Sequence, residues 1–474
     1  VKVSGMVSPY VVVGTTVANP VGITYSSSPP YNGVQHGRNY TALAMTTFPI
    51  RDSSVLTESF VSTSLPYTPV SPQVQANIGE TITYTATVTV PAGTLENVVI
   101  AHSFLPPEQP GKLALYSASI TLGPHTTSNE GVVSGASPVV STINGIKAVG
   151  TYHLGNLTIA PVVGTVHSTD TITMVFTALV LNDPANVAGT PFTIATTFSD
   201  EWQTQRLLVP TFTLIEPALS VTKTQSVGSG DGGDTVYFSI TIAHTAASSS
   251  VAFNVKVVDA GNTFLPVVPR SMVLTNAISA TVLAGNSSGD TSLNLVINEM
   301  PLQAGPVVIS YACMVSAQAV ANTLLTTQTS ISYTSAIDPL LSRFGSAITS
   351  VLNFNTFDVA LSSFQVNSTS LGQQNKVLTS SSIPGIAVGE TATLRTIVLI
   401  PEGITTNLLL TLSLPTGLQA VSSSIYSMGH MTSLLSVGSP GIPAGPNQVE
   451  FVFGTVTNTP NGVVNENDQV IADV

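Results

Sequence analysis

The sequence predicts an all-β chain of tandem antiparallel β-sandwiches in a rod-like array, and three observations carry that prediction. Charged residues fill only 8% of the 474 positions, against about 25% in an ordinary soluble protein. Lys, Glu and Arg, the best helix-forming surface residues, are therefore scarce, and Thr, Val and Ile, which suit a pleated surface, take their place. A Gly-[Glu/Asp]-Thr triplet recurs at Gly79-Glu80-Thr81, Gly233-Asp234-Thr235 and Gly389-Glu390-Thr391, at intervals of 154 and 156 residues. A fixed period of this kind marks a repeat architecture. Each triplet opens an alternating run, "TITYTATVTV", "TVYFSITIAH" or "TATLRTIVLI", which is the pattern of a strand with one buried face.

Taken in order, residues 1–50 read as the C-terminal tail of a preceding repeat, because "GITYSSSPPYNG" resembles "SISYTSAIDPLLS" at 330–342, which closes the middle unit. The first full sandwich is expected over 51–215. Its triplet strand turns at Pro91-Ala92-Gly93, where Pro sets φ and Gly permits a positive one. A second strand closes at Leu105-Pro106, residues 122–147 form a long loop, and "GTYHLGNLTIAP" and "DTITMVFTALVLN" add two strands. The second sandwich is expected over 216–355, with the turn "TAASSS", a closure at Leu265-Pro266 and later strands "TSLNLVINEMP" and "PVVISYACMVS". The third, 356–474, turns at Pro401-Glu402-Gly403, closes at Leu414-Pro415 and carries "VEFVFGTVTNTP" and "DQVIADV". Short strands separated by Gly, Pro, Asn and Ser, with no sustained helical period, describe sandwiches and almost no helix.

The third sandwich is expected to lack its last hairpin. Two completions are open: residues 1–28 of another molecule could add strands by β-augmentation, a head-to-tail contact that propagates a filament, or further residues of a longer polypeptide could complete it in cis.

Several functional classes are excluded by composition. A net charge of −12, with 12 Lys and Arg scattered singly, does not suit nucleic acid, which needs a basic stripe. No stretch reaches the roughly 18 apolar residues of a membrane span, and the opening "VKVSGMVSPY" lacks the layout of a signal peptide. Cys313 is the single cysteine, so no intrachain disulfide forms; it reads as a buried strand residue. Acceptor sequons for N-glycosylation stand at Asn39, Asn156, Asn286 and Asn367.

The stretch from Glu216 to Pro266 resembles the conserved-repeat domain of large microbial surface proteins, a domain of unknown function (type eleven). The family's opening "VTKT" strand, "GDTVTYTITV" strand, "NVTVTD" strand and "LP" appear as Val221–Thr224, Gly233–Ile242, Asn254–Asp259 and Leu265-Pro266. The resemblance implies immunoglobulin-like sandwiches in tandem, on extracellular cell-surface, adhesin or filament proteins, and it implies no catalytic residue. The low charge and high Ser/Thr point toward a glycosylated surface or appendage filament. Related sandwiches carry a Lys-to-Asn isopeptide crosslink beside an acid, which makes Lys223 a candidate. No Lys stands at the matching places, read as Ser59 and about Ser362, so a repeat-wide crosslink is excluded.

Chemistry is otherwise sparse. His167, with Ser168 and Asp170, sits in a turn; a hydrolytic triad is assembled from distant segments, so strand capping accounts for these residues. Asp231 and Asp234 in "GSGDGGDT", and Glu466 and Asp468 in "NENDQ", are candidate oxygen ligands for calcium, but neither matches an EF-hand or β-roll spacing. No carboxylate pair suggests a glycosidase, and no other cofactor is expected. Trp202 is the single tryptophan and reads as a buried sandwich residue. Two functional classes remain: a structural repeat protein assembling with other copies of itself, with glycans as a further candidate partner, or a surface adhesin or ligand-binding stalk, in which one loop set recognises a partner.

Overall fold

The computed structural model describes all residues except 1–15, 27–37, 50–53, 66–73, 105–111, 144, 163–167, 209–211, 346–347, 371–385, 387 and 464. Among the described residues the protein is β throughout, in immunoglobulin-like sandwiches, with one three-residue 3-10 turn at Glu466–Asp468; the sheets are antiparallel apart from two short parallel pairs, Phe212–Ile215 with Gln75–Asn77 and Ser229–Gly230 with Ile348–Thr356. His167 and Leu105-Pro106 lie outside the described residues. The chain forms two compact units: 1–217 with 249–251 and 335–343, and the remainder.

In the first unit, the triplet strand Thr81–Pro91 alternates without a break between buried and half-buried positions. It lies between Val55–Thr63 and Thr169–Val180 in a four-stranded sheet that ends in Leu113–Leu122. The facing sheet runs Thr204–Leu208, Ala195–Ser199, Gly93–Ser103, Ile146–Ile159, Thr126–Ser128. Between them Ile82, Tyr84, Val88, Val98, Ile100, Leu154 and Phe176 form one core. The region 122–147, expected to be one long loop, is not structureless: Thr126–Ser128 and Val139–Ile143 both pair with Ile146–Ile159. Asp170 stabilises its start, accepting from the His125 N–H at 2.8 Å and the Thr126 hydroxyl at 2.7 Å. The unit also contains a separate ribbon, Thr16–Ser26 paired with Asn39–Pro49.

The second unit holds two cores. One lies between the sheet Leu219–Gln225, Thr235–His244, Val307–Met314, Val273–Thr275 and the sheet containing Ile348–Thr356, Leu324–Thr334, Ala252–Ala260, Leu293–Met300 and Ala280–Ala284. The other lies between Ala360–Thr369, Ala392–Leu399, Gln469–Asp473, Ser424–Ser427 and the three-stranded Gly403–Ser413, Gln448–Asn458, Ile442–Gly445.

Local chemistry explains why the three cores share a plan. Gly79, Gly233 and Gly389 all adopt positive φ, +86°, +90° and +82°, a conformation that only glycine enters without penalty, and each precedes the central strand. One strand of each facing sheet carries an Asn at positive φ, Asn97, Asn254 and Asn407, where the pairing register shifts. Asn tolerates this left-handed bulge better than other side chains.

Candidate functional site

The ladders fix which residues are equivalent. Lys223 pairs with Ile240, Glu58 with Ala86 and Phe364 with Thr396, and Ala86, Ile240 and Thr396 stand at the same distance from their triplets. The counterparts of Lys223 are thus Glu58 and Phe364, one and two residues from the Ser59 and Ser362 that sequence alignment suggested. Strand pairing counts residues through the register, whereas alignment of short degenerate strands does not. The conclusion that no other repeat has a Lys there is unaffected.

At this depth each of the first two cores carries a polar layer. In the second, Lys223 enters from the opening strand with a fully buried side chain, and its Nζ lies 2.8 and 2.7 Å from the two carboxylate oxygens of Asp259, itself 3% exposed. Nζ also donates to the Thr327 hydroxyl at 2.8 Å. Asp259 accepts further from the Thr329 hydroxyl at 2.9 Å and from the Tyr311 hydroxyl. The ammonium rests 4.7 Å from the centre of the Phe238 ring, which stacks on Tyr311, so its apolar side is covered by an aromatic face. Burial pulls the Lys223 amine below its ordinary value, opposed by the Asp259 charge and hydrogen bonds. Burial, with the Asp259 charge and hydrogen bond, drives the Tyr311 phenol upward, and burial pushes the neighbouring Cys313 thiol up to about 12.

The same layer in the first core is Glu58, Thr196 and His102 beneath the stacked Tyr84 and Phe176. The Thr196 hydroxyl donates to Glu58 at 2.7 Å and lies 2.8 Å from His102 Nδ1. Burial raises Glu58 to about 8, with the Thr196 bond opposing, and lowers His102 to about 3. At neutral pH both are uncharged, the state that burial favours where no countercharge exists. In the third core the positions hold Phe364, which is 49% exposed, and the buried Leu412, so neither is ionisable there.

This arrangement orients and neutralises charge inside a core; it presents no substrate cleft. The hydrogen-bonding partners of Lys223 Nζ are a carboxylate and a hydroxyl, with no side-chain amide among them. Sequence reasoning singled out Lys223 and missed Asp259, Tyr311, Thr327 and Thr329, although "LSVTKTQ" and "NVKVVDA" each place an ionisable residue at an inward position of an apolar alternation.

Other sequence candidates fall elsewhere. Asp231 accepts from the Glu402 N–H at 3.0 Å, and Asp234 from the Asp231 N–H at 3.0 Å; chiefly through burial, Asp231 is raised to about 6. Asp468 accepts from Asn465 N–H and from the Asn458 side-chain amide. Among the described residues no group of three or more His, Cys, Asp or Glu side chains is placed to hold a metal ion. Asn39, Asn286 and Asn367 are exposed, whereas Asn156 is half-buried at a bulge, its amide oxygen accepting from Asn97 N–H. Trp202 is 52% exposed, which corrects the expectation of a buried core residue: it occupies the turn between Ala195–Ser199 and Thr204–Leu208, where Asp200 accepts from the Trp202 and Gln203 N–H groups, outside either sheet. Among the described residues no helix is long and apolar enough to cross a membrane.

No family model and no curated protein matches the chain, so the resemblance to the conserved-repeat domain rests on its residues. Among solved structures it is similar to the C-terminal domain of the antigen I/II polypeptide BspA of Streptococcus agalactiae, at 10% identity over 64% of this chain and 100% of that one, TM-score 0.34. The antigen I/II-family protein AspA of Streptococcus pyogenes gives 11% over 64% of this chain and 99% of its C-terminal domain, TM-score 0.33. The major pilin subunit BcpA of Bacillus cereus gives 8% over 71% and 91%, TM-score 0.24. At such identities and scores these likenesses carry no argument about function.

Proposed function

We propose that the chain is a structural repeat segment of an extracellular surface layer or filament, assembling through its sandwich domains with other copies of itself and without enzymatic activity. The observation that supports this is the threefold use of one strand plan around three cores. Of the titratable groups that could do acid–base work, Lys223 and Asp259 hold one another in place, and Glu58 and His102 are both held by Thr196. Glycans at the exposed sequons belong to this reading, whereas calcium is not required by it, since Asp231, Asp234 and Asp468 already accept backbone N–H groups. A low-resolution image of the native particle tests it: a repeating fibre or lattice is expected, and isolated flexible rods would overturn it in favour of an adhesin. The adhesin reading is favoured by one feature, the exposed Trp202 on a loop, since aromatic anchors dominate recognition surfaces. Loss of ligand or cell binding in Trp202→Ala would decide for it. Reproducible hydrolysis of a glycan or peptide, abolished by substituting His167, would refute the absence of activity.

A further inference from the structure

We propose that the joint between the second and third sandwiches is a pH-gated hinge, closed while the buried Asp231 carboxyl keeps its proton and loosened once it ionises beside Asp234 and Glu402. The proposal concerns the chain itself, so it goes beyond the assembly reading above and does not depend on it.

Both sandwiches belong to one compact unit, and their joint is made largely by backbone. Gly232, in the turn that leads into Thr235–His244, donates its N–H to the Glu402 carbonyl at 2.9 Å. Glu402 lies in the Pro401-Glu402-Gly403 turn of the third sandwich. Just past that turn, the Ile404 N–H donates to the Ala319 carbonyl at 2.9 Å and the Ile404 carbonyl accepts from the Ala321 N–H at 2.8 Å, a parallel bridge onto the second sandwich. The approach is too close for side chains. A Cβ on Gly232 would lie 3.1 Å from the Glu402 carbonyl carbon, and one on Gly403 would lie 2.6 Å from the Ala319 oxygen.

Asp231 sits inside this contact and is 5% exposed. Its carboxylate accepts the Glu402 N–H at 3.0 Å, so it bonds across the joint. Two further carboxylates surround it. Asp234, from the same turn, accepts the Asp231 N–H at 3.0 Å. Glu402, also buried, accepts from the Asn461 and Gly462 N–H groups at 2.5 and 3.1 Å. These two are the charged groups that act on Asp231, and both are acidic; the ion pairs Lys223–Asp259 and Arg395–Asp473 of the same unit lie elsewhere. Burial, with the Asp234 and Glu402 charges, holds the Asp231 carboxyl up at about 6 against the pull of the Glu402 N–H.

Opening the joint returns that carboxyl to water and to its ordinary 3.8. The closed joint therefore has its full strength below 3.8 and loses it as pH rises through 6. A protonated Asp231 hydrogen-bonds to Asp234 and still accepts from Glu402, whereas an ionised one faces two negative neighbours where little water screens them. Between pH 5 and pH 8 these values amount to about a tenfold rise in the population of open joints.

Hydrogen exchange on the full chain at pH 5 and pH 8, each rate divided by the unprotected rate at that pH, tests the hinge. Peptides containing Gly232, Ala321 and Ile404 should be about tenfold less protected at pH 8, while Thr235–His244 and Gln448–Asn458 keep their protection. Asp231→Asn, which keeps the shape and an acceptor for Glu402 without the charge, should show the same protection at both pH values. Asp234→Asn removes one repelling charge and should move the loss to lower pH. Equal wild-type protection at the two pH values would overturn the proposal, as would a contrast that survives in Asp231→Asn or keeps its midpoint in Asp234→Asn. A change confined to Gly232, with Ala321 and Ile404 unmoved, would show a loosened turn in place of a hinge and overturn it equally.

Discussion

Replacing Lys223 by Met should unfold the second core at markedly lower denaturant, and the size of the effect follows from what is left behind. The substitution keeps most of the aliphatic stem against Phe238 and removes the charge 2.7–2.8 Å from both oxygens of Asp259. Asp259 then keeps two hydroxyl donors, Thr329 and Tyr311, and no countercharge. Breaking a buried ion pair by removing one partner costs about 3–5 kcal/mol. The carboxyl escapes by taking up a proton, and at pH 7, about three units above the ordinary aspartate value, that costs about 4 kcal/mol, so the two estimates agree. The penalty belongs to the ionised state, so it is largest at neutral and alkaline pH and shrinks to about 1–2 kcal/mol near pH 5. Urea unfolding of the wild type, Lys223→Met, Asp259→Leu and the double variant at pH 5 and 7 forms the cycle. The double variant should recover to within about 1–2 kcal/mol of wild type or exceed it, as buried pairs replaced by apolar residues do. A single-variant loss below about 1 kcal/mol at pH 7, or a double variant no better than the single, would refute the ion-pair account. Intact mass checks the same site: a chain lighter by one water, with the loss abolished in Lys223→Met, would show a covalent Lys223–Asp259 bond in place of the ion pair.

Glu58→Gln should stabilise the first unit above pH 5. Its folded value is raised from 4.5 to about 8, so the wild type has its full stability below 4.5 and loses it as pH rises through 8, by a few kcal/mol on the order of 1.4 per unit. The variant should show a flatter stability–pH curve. Gly79→Ala should destabilise more than Gly389→Ala. Both glycines have positive φ, which costs a side chain about 1–2 kcal/mol, but a Cβ at Gly79 would lie 2.9 Å from the Leu341 carbonyl oxygen while Gly389 has open space around it. Equal shifts in thermal unfolding would contradict this. Cys313 should resist thiol reagents in the folded protein at pH 8, since it is buried and its thiol is raised to about 12; rapid native labelling would overturn that.

How much of this was legible in the residues depends on the range of the physics involved. The alternation "TITYTATVTV", the glycine before it and the scarcity of helix formers are local signals, because a strand's two faces and a positive-φ turn are decided within a few residues. They were enough to place Thr81–Pro91, Thr235–His244 and Ala392–Leu399 and to predict sandwiches. The resemblance of "VTKT" to the opening strand of the repeat family made Lys223 a crosslink candidate. What sits opposite Lys223 could not be read, since Asp259, Tyr311 and Thr327 come from three other strands up to 104 residues away, and only pairing register brings them to one depth. The same is true of Trp202, whose exposure depends on which turn ends its hairpin, and of Glu58, hidden by a one-residue slip in alignment. By itself the sequence determined the strands, their faces and their repetition; the tertiary structure decided which side chains share a core layer, because register and sheet packing are set by many distant contacts at once.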